Sequence, residues 1–245
     1  MMQHETASTT RRGDRSENQD RCEVLVDGPR TLLLLADGMG GHARGELAAA
    51  VFIDSLGRQF PDSRAAPAPV FLERAFARAH RDIVAAGRAA TPPCEPLSTG
   101  VACLVDGDRA SWAHVGDSRL YLLRDDAVLS RTRDHSMVEE LVQLGELDEA
   151  DRERHPLRNY VTHALGGREA PMASLSGEIA LQPGDVLLLC SDGLWAAQPG
   201  ARLLELLHAR SLQDCVEQLA DAAAASQAPS SDNVTLVALR CERDS

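Results

Sequence analysis

The chain has 245 residues, with 37 acidic side chains against 25 basic ones and a formal net charge of −12. That acidity argues against nucleic acid and anionic membrane as partners, which need a basic face, and fits a protein that collects cations. At 44% hydrophobic residues there is enough apolar mass for a real core, yet the longest unbroken apolar run, Leu47 to Ile53, is far too short for a membrane span, and the polar start MMQHETASTTRRGDRSENQD does not read as a secretory signal.

Residues 1–9 read as a flexible N-terminus. Cys22–Val26 and Thr31–Ala36 are β-rich runs on either side of Asp27-Gly28-Pro29-Arg30, which predicts a hairpin. Gly45 to Phe60 reads as an Ala-rich helix, and Pro61 to Pro69 as a loop. Val70 to Ala86 predicts a second helix, with Leu72, Phe76, Ala79 and Ile83 on one stripe. A Pro-rich break at 91–96 precedes a second hairpin, Thr99–Val105 and Ala110–Val115, around Asp106-Gly107-Asp108-Arg109. Arg119–Arg124 and Ala127–Ser130 add further strands.

From Asp134 to Arg168 the strand pattern stops. Ser136-x-x-Glu139 is a capping box opening a short helix to about Leu144. Strands return at Ser176–Ala180 and Val186–Cys190, then a helical stretch covers Ala201 to Ala225, and Val234 to Leu239 is the last strand. Hairpin-linked strands with long amphipathic helices, and no βαβ series, predict an α+β protein with antiparallel sheet covered by helices. The simplest organisation is one domain over 1–245 with a flap inserted near 134–170. Six cysteines without any C-x-x-C pair exclude a zinc ribbon and point to the reducing cytosol.

Asp-Gly occurs four times. At 27–28 and 106–107 a new strand starts within a few residues, so those pairs read as hairpin turns. At 37–38 and 192–193 the pair ends a buried strand, TLLLLAD or DVLLLCSD, and leads into helix instead. A carboxylate there is held rigidly beside the core, a good mount for a metal ligand. Asp117, after Gly116, and Asp232, before the last strand, are placed alike. Oxygen ligands of this kind select Mg²⁺ or Mn²⁺ over zinc. Arg15, in Arg15-Ser16-Glu17-Asn18-Gln19-Asp20, offers a guanidinium that can fork onto phosphate. Gly38-Met39-Gly40-Gly41-His42-Ala43 fits a dinucleotide-binding fingerprint, but its strand belongs to a hairpin and no βαβ unit follows.

The ordered set Arg15-x-x-Asn18-Gln19-Asp20, Asp37-Gly38-Met39-Gly40-Gly41-His42, Ser98-Thr99-Gly100, Gly116-Asp117-Ser118-Arg119, Asp134-His135-Ser136, Ser191-Asp192-Gly193 and Asp232-Asn233 resembles the metal-dependent serine/threonine protein phosphatases of the type 2C family, the short bacterial members in particular. The resemblance spans about residue 10 to 240 and implies two stacked antiparallel sheets flanked on both sides by antiparallel helices, an αββα sandwich. It implies Asp37 as the carboxylate bridging two metals, Gly38 as a carbonyl ligand, and Asp192 and Asp232 completing the first metal's shell. Asp117 with Asp192 resembles a third, weaker site, Asp20 an outer ligand through water, and Arg15 the phosphate-binding arginine. The histidine that eukaryotic relatives carry after the Asp-Gly pair is Met39 here, as in bacterial members, which leaves His42 or a water as the general acid.

The expected activity is hydrolysis of phosphoserine and phosphothreonine in proteins by metal-activated water at a binuclear Mn²⁺ or Mg²⁺ centre, two ions tightly bound and a third weakly. Divalent ions neutralise the phosphate dianion and make a nucleophile from water near pH 7, while Arg15 holds the non-bridging oxygens. The alternative is a catalytically weak phosphatase-like signalling scaffold. Partners implied are phosphoprotein substrates and a cognate Ser/Thr kinase in bacterial signal transduction, with no nucleic acid and no membrane. The expected form is a cytoplasmic monomer, a free catalytic domain.

Overall fold

The computed structural model describes residues 2–39, 44–198 and 200–242. Two antiparallel sheets form its centre. The first runs in the order β1 (Gln3–Arg11), β11 (Val234–Glu242), β10 (Val186–Cys190), β6 (Arg119–Arg124), β7 (Ala127–Arg131). The second runs β2 (Asp20–Asp27), β3 (Arg30–Asp37), β4 (Gly100–Asp106), β5 (Arg109–Val115), with β8 (Ser174–Leu175) and β9 (Ile179–Ala180) both paired to β5. Helices α1 (Gly45–Gln59) and α2 (Ala68–Ala89) cover the second sheet, and α7 (Leu212–Ser226) covers the first. Short helices α4 (Asp192–Trp195), α5 (Gly200–Leu203) and α6 (Glu205–His208) precede α7, and α3 (Met137–Gln143) lies in the flap. The result is the expected α+β sandwich of two sheets between helical layers.

The period-two alternation of strands explains the layering. In the leucine run of β3, Leu33 and Leu35 face the other sheet and meet Leu120, Leu122, Leu187, Leu189 and Val237. Leu32 and Leu34 face the opposite way, under Phe52 of α1 and Phe76 of α2, whose rings pack edge-on at 5.2 Å. A strand buried on both faces has no polar alternation, which is why these runs are unbroken. The stripe Leu72, Phe76, Ala79 and Ile83 is buried as its spacing predicts, and so is Leu212, Val216, Leu219 and Ala223 on α7. No helix among the described residues is long and apolar enough to cross a membrane.

Three expectations need correction. Residues 3–9, expected to be flexible, belong to β1, which pairs with β11 from Gln3↔Glu242 to Arg11↔Val234. A polar strand at a sheet edge needs few apolar side chains, because the ladder and the burial of Ala7 and Thr9 suffice to hold it. The strand expected at Ser176–Ala180 is instead two short pieces, β8 and β9. Between them the Ser176 hydroxyl accepts the Trp112 N–H at 2.8 Å and breaks the ladder. The helical stretch from Ala201 is interrupted at Ala209–Ser211, where Ser211 caps α7 by accepting the Asp214 N–H at 3.1 Å.

Candidate active site

The two kinds of Asp-Gly pair differ in what they require of glycine. Gly28 and Gly107 have φ of +60° and +61°, the left-handed region a tight hairpin turn asks for. At Gly38 and Gly193 the requirement is space. A Cβ on Gly38 would lie 2.3 Å from the Gly45 carbonyl oxygen, and one on Gly193 2.1 Å from that of Asn233. Gly38 thus lets α1 start against the end of β3, and Gly193 lets α4 start against the head of β11. These two crossings bring Asp37, Asp192 and Asp232 to one end of the sandwich.

Neighbouring residues then fix each carboxylate. The Asp37 N–H donates to Thr99 Oγ1 at 3.1 Å, and its carbonyl accepts from the Thr99 N–H at 2.9 Å and from Ser98 Oγ at 2.8 Å. Thr99 Oγ1 pairs with Ser118 Oγ at 2.7 Å, next to Asp117. Asp20 stands opposite Asp37 in the β2–β3 register. Asn233 clamps the segment carrying Arg15: its Nδ2 donates to the carbonyls of Arg12 at 2.7 Å and Glu17 at 3.0 Å, and its Oδ1 accepts the Gln19 N–H at 2.8 Å. Arg15 Nη2 is thereby placed 2.6 Å from Asp232 Oδ2.

Arg15, Asp37, Gly38, Asp117, Asp192 and Asp232 line a single cleft of about 960 Å³. Asp20, at 3% exposure, is buried behind it. The structure therefore brings together every described residue that the sequence nominated. His42 lies outside the described residues.

Apart from Asp232, which Arg15 pairs, the carboxylates of the cleft crowd one another. Burial, and then the negative charges of Asp20, Asp192, Asp117 and Asp232, push the Asp37 carboxyl well above the usual range. Burial and then Asp117, Asp232 and Asp20 do the same to Asp192. Asp20 is pushed up to about 6 by burial, and Asp117 to about 6 by burial and then by Asp134. No three His, Cys, Asp or Glu side chains among the described residues are already arranged to hold an ion. Yet Asp20 Oδ1 is buried without any hydrogen-bond partner, and a cluster of anionic oxygens facing one another calls for a cation. Hard oxygen donors without Cys or His fit Mg²⁺ or Mn²⁺.

Asp117 is tied to the flap by a linkage that sequence reasoning missed. Its carbonyl accepts from Trp195 Nε1 at 3.0 Å, and the Arg119 guanidinium lies 3.7 Å over the Trp195 ring. Arg119 forks onto both oxygens of Asp134 at 2.8 and 2.6 Å, at the root of the flap. Also unforeseen is a histidine cluster: His135 stacks on His114 at 4.7 Å and meets His163 edge-on at 5.2 Å, ring centre to centre. The Gly116 N–H donates to His135 Nδ1 at 3.2 Å, so the proton sits on Nε2, which reaches Ser174 Oγ at 2.8 Å. Half of the expected capping box forms: Ser136 Oγ accepts the Glu139 N–H at 3.3 Å, but the Glu139 carboxylate turns to Arg152.

The family profile "Protein phosphatase 2C" matches residues 8–235. The serine/threonine protein phosphatase PstP of Mycobacterium tuberculosis is 35% identical over 227 residues, 92% of this chain and 43% of that protein, so the chain spans less than half of that relative's length. The protein phosphatase PhpP of Streptococcus pneumoniae is 32% identical over 228 residues, 91% of each chain. Among solved structures, the catalytic domain of PstP in complex with two manganese ions superimposes with a TM-score of 0.84 at 31% identity, covering 99% of this chain and 100% of that one.

Proposed function

The chain belongs to the protein phosphatase 2C family, and from that premise we propose that it hydrolyses phosphoserine and phosphothreonine in proteins, at a binuclear Mn²⁺ or Mg²⁺ centre. One observation carries the reading: carboxylates from both sheets crowd together at one end of the sandwich, with a single guanidinium, that of Arg15, answering only Asp232. In this reading Asp37, the Gly38 carbonyl, Asp192 and Asp232 hold the two ions, with Asp20 behind them. The PstP catalytic domain with two manganese ions supports that number. Bound divalent ions supply neutralisation of the phosphate dianion and activation of water near neutral pH.

The chain's own groups do the positioning. Arg15 binds the non-bridging phosphoryl oxygens and holds the phosphorus in line, a role its reach to Asp232 and the fields of Asp192 and Asp37 support. Thr99 and Ser98 lock the Asp37 backbone so that its carboxylate needs no reorganisation during turnover. Asp117 with Asp192 holds a third ion more weakly, because fewer carboxylates bind a hard cation less tightly. Asp117→Ala should remove a weak phase from a calorimetric Mn²⁺ titration and leave the tight one.

The matching substrates are phosphoproteins written by a Ser/Thr kinase, in a cytoplasmic setting consistent with six free cysteines. The test is turnover of a phosphothreonine peptide and of p-nitrophenyl phosphate with Mn²⁺, loss of both in EDTA, and recovery on adding the ion back. Full activity in chelator would overturn the reading.

A further inference from the structure

A second cavity, of about 720 Å³, opens beside the cleft, and Arg15, Asn159, Asp192 and Asp232 line both. Away from the shared carboxylates its wall carries four arginines, Arg119, Arg131, Arg152 and Arg158, against two further acids, Asp134 and Glu149. This is concentrated positive charge in a chain whose net charge is −12. All 25 of its cationic side chains are arginines, and the guanidinium fork matches carboxylate and phosphate oxygens two at a time.

The four arginines are not equally engaged. Arg119 is held by Asp134 through both oxygens. Arg152 is paired with Glu139 and with Glu149. Arg131, whose side chain is 28% exposed, comes only within 4.0 Å of the Glu139 oxygen that Arg152 already engages. Arg158 is exposed, and no ion pair of its own is found among the described residues. Wall cations therefore exceed the carboxylates that answer them. Because Arg131 is largely shielded from water, its charge is screened less than that of a surface arginine.

We propose that this cavity is a substrate subsite that takes an anionic side chain, a carboxylate or a second phosphate, close in sequence to the phosphorylated residue. The inference rests on the phosphatase reading, since the cavity joins the cleft through Arg15 and Asp232. A phosphoryl group at the cleft floor leaves the flanking polypeptide to run along the flap, where Arg131 and Arg158 meet whatever acid it carries. An extended chain advances about 3.3 Å per residue, so only near neighbours of the phosphoresidue can reach the wall.

The experiment compares kcat/KM on phosphothreonine peptides in which one Asp, one phosphoserine or one Gln is moved residue by residue along each side. Wild-type protein with Mn²⁺ should prefer the anionic peptides over the Gln peptide at one or two positions. Arg131→Gln should reduce that preference by about 3- to 10-fold, the scale of one half-buried ion pair. Turnover of p-nitrophenyl phosphate, which has no flanking residue, should be unchanged in the same variant and so report that it is folded. Arg131→Lys should recover part of the preference and Arg131→Glu should reverse it. Asp and phosphoserine arms separate the two sources of negative charge. Equal kcat/KM on all three peptides, with p-nitrophenyl phosphate still turned over, overturns the subsite alone. Failure to turn over any of these substrates overturns the phosphatase reading and the subsite with it.

Discussion

Ser191 Oγ donates to Asp20 Oδ2 at 2.8 Å and accepts the Thr235 N–H at 3.0 Å, so one buried hydroxyl joins β2 of one sheet to β11 of the other. It sits at the end of β10, one residue before Asp192, and is wholly buried. At the carboxylate end, hydrogen bonds thus join the two sheets in addition to the apolar seam between them.

Ser191→Ala should leave Asp20 Oδ2 and the Thr235 N–H without this partner. A buried group left unsatisfied costs about 1–3 kcal/mol. Urea unfolding of the chelated protein should show a loss in that range, with weaker Mn²⁺ binding by calorimetry. A midpoint equal to wild type would mean that water replaces the hydroxyl.

Asp37→Ala and Asp192→Ala should abolish turnover, whereas Asp27→Asn and Asp106→Asn should keep it within about twofold. Asp106 is paired with Arg30 at 2.7 Å and Asp27 with Arg64 at 2.8 Å, far from the cleft. Loss of each surface pair costs about 0–1 kcal/mol. Loss of activity in a folded turn variant would show that the four Asp-Gly pairs do not divide as their glycines suggest.

Arg15→Ala should act mainly on KM for phosphopeptides, because the contact is made with phosphate already present in the ground state. Removing a charged hydrogen-bond donor costs about 1.5–3 kcal/mol, or roughly 10- to 150-fold in kcat/KM. An unchanged kcat/KM would place Arg15 as a partner of Asp232 only.

Stability should fall with acid in a window set by the histidine cluster. Burial, and then the neighbouring His114 and His163, hold His135 at about 4, while its unfolded value is 6.5. Between those values the unfolded chain binds the proton and the folded one does not, so stability rises with pH across the window and is lost as pH falls below about 6.5. His114, also lowered by burial, adds to the same slope. His135→Asn retains an acceptor for the Gly116 N–H without titrating, and urea unfolding at stepped pH should show it losing less stability than wild type towards pH 4.

The cleft was legible where chemistry was written into contiguous residues. An apolar run ending in Asp-Gly and entering a helix marks Asp37 and Asp192 directly, because few other roles need a carboxylate there. Arg131 and Arg152 carry no such mark, and the capping-box motif at Glu139 does not foretell their meeting: the end of β7 and an irregular flap bring them together. The polar strand β1 was hidden for a related reason, since an edge strand takes its stability from backbone rungs to a partner more than 220 residues away. His114, His135 and His163 come from a strand and two flap segments, so only the three-dimensional path brings them together.

The chain has two tryptophans. Trp112 lies in β5, packed in the seam between the sheets. Trp195 lies under Arg119, bonds the Asp117 carbonyl and lines the second cavity. The protein thus carries two optical reporters of different events: emission from Trp112 follows the closing of the sandwich, and emission from Trp195 follows what happens to Asp117 and the root of the flap. With Trp112→Phe, ion and peptide binding become readable from the native fluorophore that remains.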